Sequence, residues 1–160
     1  MKELVDKLSS YNLFNYLLPG TLFVAAAERI SDHRVAQSNI IVAFFIYYFI
    51  GLVISRIGSL VVEPLMKSTD FVRFAPYKDF VRACTHDQKI ELLSEQNNMY
   101  RTLCALFLSV GLLKLYDFML TQWGLPGKTV LIVGLFALFA FSYRRQTSYV
   151  RQRVELAKRD

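Results

Sequence analysis

Cysteine, histidine and glycine-rich motifs are scarce in this 160-residue chain, and each scarcity removes a class of function. It has two cysteines and two histidines. Cys84 and Cys104 fall at different levels of the sequence pattern, so no disulfide is expected between them, and a cytoplasmic Cys84 is expected to stay reduced. His33 and His86 lie on opposite sides of a long apolar run and cannot share a metal. There is no glycine-rich phosphate loop, no internal repeat and no low-complexity tract. Cys84, His86 and Asp87 are close in sequence, but a nucleophile and its base need side chains that converge, and residues two apart on a helix diverge. Cys84 fits a buried helix face and His86 a helix start. No catalytic, cofactor-binding or metal-ligating residue is assigned, no cofactor is expected, and the chain reads as non-enzymatic.

Long apolar runs dominate what is there. Hydrophobic residues make up 54% of the chain and aromatics 14%, high for a soluble domain and natural where Phe and Tyr face lipid. Ile40–Val62, Thr102–Leu120 and Thr129–Tyr143 are too apolar for water, and Leu13–Ala27 is nearly so. A bilayer-crossing helix needs about 20 residues, so the pattern predicts an all-α integral membrane protein with four spans and cytoplasmic helical extensions. The expected divisions are a first transmembrane pair over 1–63, a cytoplasmic helical hairpin over 64–98, a second pair over 99–143 and a basic tail over 144–160. Leu13–Ala27 also has features of a signal peptide, with Lys2 before it and Ala25-Ala26-Ala27 as a small-residue site. Glu3 and Asp6 neutralise Lys2 and Lys7, however, so a retained first span is expected, interrupted near its middle by Pro19-Gly20.

The net charge of +6 is explained by where it falls. With four spans, fifteen of the nineteen Lys and Arg residues share the side of both termini and the Ser55–Arg101 segment, and four lie on the other side. Short loops rich in Lys and Arg stay in the cytoplasm. Both termini are therefore expected to be cytoplasmic, and direct contact with nucleic acid is not needed to account for the basic tail.

Within the spans, Asn12, Asn15 and Pro19 share one helical face. Amides at membrane depth point into protein and bond between helices, or they line a path. Gly51, Ser55 and Ser59 recur every four residues, a small-residue face that allows close helix approach within the chain or across a homo-oligomer. Arg56 can snorkel or pair with Glu63. Lys114 and Asp117, three residues apart near the outer end of the third span, suit an intrahelical ion pair, with Trp123 marking the interface. On the cytoplasmic side, Tyr77, Phe80, Val81 and Cys84 form one face of a short amphipathic helix, and Tyr77, Phe80 and Val81 are the expected docking face for a cytoplasmic protein partner. Thr85 to Gln88 fits a capping box that opens a helix running unbroken into the third span. From Lys128 onward one Gly and no Pro occur, so the fourth helix should extend past Tyr143 as a basic stalk.

The segment Tyr11-Asn12-Leu13-Phe14-Asn15-Tyr16-Leu17-Leu18-Pro19-Gly20, followed by Thr21-Leu22-Phe23, resembles the opening of small bacterial membrane proteins found beside anti-phage defence genes. The four-span plan with cytoplasmic termini is similar to the membrane subunit of Kiwa-type defence systems. The resemblance implies an oligomeric inner-membrane protein that senses phage-induced membrane disturbance and signals to a cytoplasmic partner. It assigns no functional residue. Two readings thus stand: a non-enzymatic, oligomeric membrane protein that senses or transmits a signal, and a pore-forming effector or small ion or solute transporter whose path Asn12, Asn15, Arg56, Lys114 and Asp117 would line.

Overall fold

The computed structural model describes residues 12–31, 34–124 and 126–158. Met1–Ser10, Tyr11 of the quoted motif, His33 and Arg159 lie outside the described residues. The described residues are helical throughout their regular structure, with no strand among them. Helix α1 covers Leu18–Ile30 and follows a π-helical turn, Leu13–Leu17. Helix α2 is a continuous rod, Ile40–Ser68, with a π-helical turn at Gly58–Val62. Helices α3 (Tyr77–His86), α4 (Lys89–Trp123) and α5 (Gly127–Ala157) complete the chain.

The two π-helical turns share a cause. Each ends two residues before a proline, Pro19 in one case and Pro64 in the other. A proline inside a helix lacks the N–H for the bond to the carbonyl four residues back, and its ring collides with that carbonyl. Widening the preceding turn accommodates the ring without breaking the rod. The Leu18 N–H accordingly bonds back to Leu13 and the Glu63 N–H to Gly58, five residues each.

Helices α1 and α2 run antiparallel at backbone contact. A β-carbon at Gly20 would overlap the Tyr47 carbonyl, and one at Gly51 would overlap the Tyr16 backbone. Only the absence of a side chain permits this approach, so the small-residue face of α2 is used inside the chain at Gly51. The Tyr16 and Tyr48 rings close the pair edge to face, 5.4 Å between centroids. Helix α4 packs antiparallel against α2, where Gly58 faces Ala105 and Arg101. Ile54, Val62, Ala105 and Leu106 form the buried core, with Phe23 of α1 packed on it.

Local signals set the ends. The Asn39 carboxamide accepts from the Ile41 and Val42 N–H groups (3.0 and 3.2 Å) and starts α2. Gly124, at φ +59°, ends α4, and the Tyr116 hydroxyl donates to the Gly127 carbonyl (2.8 Å) across the turn. The expected Thr85–Gln88 capping box does not form. The Thr85 hydroxyl donates back to the Arg82 carbonyl, and Asp87 Oδ1 accepts from the Lys89 N–H at 2.9 Å. Asp87 wins because α3 continues to His86, which holds Thr85 inside its last turn.

Three helices, α2, α4 and α5, are long and apolar enough to cross a membrane. This differs from the expected four. Among the described residues, the Leu13–Ile30 segment falls short because Asn15, Glu28 and Arg29 dilute a run that is already short.

Candidate functional site

Polar side chains gather at two levels of the α1–α2–α4 packing. At the upper level lie Asn15 of the π-helical turn before α1, Ser55 of α2 and Thr102 of α4. Asn15 is 1% exposed and Thr102 is fully buried. The Thr102 hydroxyl lies 2.8 Å from Asn15 Oδ1 and 2.9 Å from the Asn98 carbonyl, and Asn15 Nδ2 donates to the Ser55 hydroxyl at 3.4 Å. Each group has a partner, as a buried polar group requires. The π-helical turn before Pro19 carries Asn15.

About two turns further along α2 stands Glu63, 5% exposed. One carboxylate oxygen accepts from Lys67 Nζ (2.8 Å) and Arg145 Nη2 (2.5 Å), the other from Arg101 Nη1 (2.6 Å). Glu63 therefore ties α2 to both α4 and α5. Charge-assisted bonds of this kind are short and strong.

The second proline supplies a further contact. In the π-helical turn, the Ser59 carbonyl would bond the N–H five residues on, which is Pro64 and has none. Arg145 Nη1 donates to that carbonyl instead. The same guanidinium donates to the Tyr149 hydroxyl through Nε and Nη2 (3.2 and 3.1 Å), and the Tyr149 ring lies 5.3 Å from the Tyr77 ring of α3. A continuous set of contacts thus leads from the α2 backbone through Arg145 and Tyr149 to α3.

The residues singled out from sequence divide between these contacts and the surface. Asn15 and Ser55 meet at the upper level, and Ser59 contributes its carbonyl below. Asn12 is half-buried directly before the first π-helical turn. Arg56 is half-buried and does not pair with Glu63, whose cations come from Lys67, Arg101 and Arg145. It sits seven residues before Glu63, whereas Lys67 is one turn after it. Lys114 is exposed and Asp117 half-exposed on α4, well away from Glu63 along the helix. Of the expected docking residues, Tyr77 and Val81 are engaged within the chain. Val81 is buried, Tyr77 faces Tyr149, and Phe80 borders a cavity with Ser94, Asn98 and Arg153.

Sequence reasoning missed Arg101 and Arg145 as the partners of Glu63. One signal was available: Glu63 is the only acidic residue between Asp32 and Asp70, and it stands directly before a proline at the end of the longest apolar run. Outside the long apolar helices, the Arg73 guanidinium beside Asp70 holds that carboxyl below the usual carboxylate range, and Asp70 in turn raises Arg73. Asp70 adopts φ +58°, closing α2 before the linker to α3.

No group of His, Cys, Asp and Glu among the described residues could hold a metal ion. No protein-family model, curated protein or solved structure matches the chain.

Proposed function

We propose that this chain is a non-enzymatic, oligomeric protein of the bacterial inner membrane that transmits a change in the bilayer to a cytoplasmic protein partner. The observation that carries the reading is the Glu63 junction. It joins the three long apolar helices where two of them continue beyond the hydrocarbon, and it leads through Arg145 and Tyr149 to α3. A shift in the packing of α2 against α4 or α5 cannot leave the cytoplasmic helices unmoved while these contacts hold. The resemblance to the membrane subunit of Kiwa-type systems names phage-induced membrane disturbance as the signal.

Four passes with cytoplasmic termini remain the preferred topology. The first helix lies antiparallel along α2 from Ser55 toward the Ile40 end, through Gly20 and Tyr47, so it occupies the same depth. Its most polar deep residue, Asn15, is bonded inside the protein and costs little against lipid. Phe71, Leu92 and Leu93 are exposed on the proposed cytoplasmic side and offer the partner an apolar surface now that Tyr77 and Val81 are occupied.

A pore or transporter fits less well, since Asn15, Ser55 and Thr102 bond one another instead of lining an open path. Purification from native membranes in mild detergent tests the proposal. An assembly larger than the 18.5 kDa protomer, carrying a co-purifying cytoplasmic protein, is expected. A lone monomer with no companion would contradict it.

A further inference from the structure

Beside the Glu63 junction, α2 and α5 border a groove of about 710 Å³. Its walls are apolar, with Leu60 and Val61 on α2 and Gly134 and Leu138 on α5, and its cytoplasmic end is closed by Arg144, Arg145 and Ser148. The charge there is unbalanced. Glu63 is one carboxylate against Lys67, Arg101 and Arg145, and Arg144 adds a cation with no carboxylate partner among the described residues. From Gly134 to Arg145, α5 rises about 16 Å, close to the depth of one leaflet, half of the roughly 30 Å hydrocarbon thickness.

We propose that this groove binds one acidic phospholipid of the inner leaflet, an acyl chain lying along Gly134 and Leu138 and the phosphodiester held by Arg144 and Ser148. The inference rests on the membrane reading above. An apolar trough that ends in the uncompensated Arg144 at headgroup depth matches a lipid with an anionic head and an alkyl tail, and basic pockets between helices on the cytoplasmic side recognise such heads. The trough is open beside Gly134, where a β-carbon would meet nothing within 4 Å. The site also gives the Glu63 junction a bilayer component to respond to, because Arg145 borders the groove and bonds Glu63.

The test uses the full chain in nanodiscs of phosphatidylcholine mixed equally with phosphatidylglycerol, with retained lipids counted by native mass spectrometry. Preferential retention of phosphatidylglycerol is expected. Arg144→Gln should lower that preference about fivefold, the effect of one basic residue near an anionic surface. Gly134→Leu should abolish retention by filling the trough, and soluble glycerophosphoglycerol should not displace the lipid. Neither substitution touches a packed contact, so both variants should melt as the parent does. Equal retention of the two lipids, wild-type retention in both variants, or displacement by the soluble headgroup would overturn the site. So would a Gly134→Leu variant that changes only the oligomer mass, which would point to a second copy of the chain in the groove. Alkaline extraction reads the membrane assignment separately. A chain that leaves with the soluble fraction overturns both proposals, whereas one that stays in the membrane without lipid preference overturns the groove alone.

Discussion

Thr102 and Asp70 illustrate how differently one side chain acts in the interior and at the surface. Thr102 supplies the hydroxyl that lies 2.8 Å from Asn15 Oδ1, and valine has nearly its shape without that proton. Thr102→Val should therefore lower stability by about 1 kcal/mol, the usual worth of one hydrogen bond between membrane helices. Thermal unfolding in mild detergent measures it, and an unchanged midpoint would mean that the upper polar level contributes nothing. Asp70 is fully exposed, and its bond to Arg73 governs only the linker. Because its folded pKa is lowered, the bond favours the folded linker above the ordinary carboxylate range, and that contribution is lost as pH falls through the lowered value. Titration of the Asp70 carboxyl by NMR should give a midpoint below that of a free aspartate, and Asp70→Asn should remove any acid-dependent loosening of Phe71–Phe74. A normal midpoint would show that the pair does not persist in solution.

Helices were the most legible elements, and the contacts between them the least. The absence of proline over 89–123 and 127–157 leaves nothing to stop α4 and α5, so their length could be read directly. The π-helical turns could not be read in that way, because Pro19 and Pro64 announce an interruption without saying whether the helix kinks, ends or widens. The small-residue face of α2 was visible as a spacing, yet its partner was not. Gly51 meets the Tyr16 backbone of the same chain, a fact that depends on how the first helix returns along α2. Gly51→Leu should consequently disturb the α1–α2 pair itself, with a cost of about 1–3 kcal/mol from overpacking. Phe45→Leu serves as the control, since Phe45 is largely exposed, whereas Phe49 stacks on Phe139 of α5. Equal melting of the Gly51→Leu and Phe45→Leu variants would contradict the close approach. The partners of Glu63 were illegible for a related reason: Arg101 and Arg145 lie 38 and 82 residues away, and several other basic residues share the same side.

Topology and coupling are properties of the whole molecule. Reporter fusions at Gln96 and Asp160 should read cytoplasmic and one at Gly127 should read outside. A fusion at Met1 decides the first helix, since four passes give a cytoplasmic signal and three give an external one. The proposed coupling of the long helices to α3 turns on Glu63 and on the Ser59 carbonyl that Pro64 leaves without a backbone donor. Both hold Arg145, and through it the stalk of α5. Spin labels at Leu65 and Val150, exposed positions on α2 and α5, placed in a chain whose Cys84 and Cys104 are replaced by alanine, report that attachment as a distance distribution in lipid nanodiscs. The parent should show one narrow distance. Glu63→Gln should lengthen and broaden it, and Pro64→Ala should do so to a smaller degree by restoring an N–H to compete for Ser59. A distribution that stays narrow and unshifted in Glu63→Gln would show that α5 is held in place without the junction, and the coupling proposed here would be wrong.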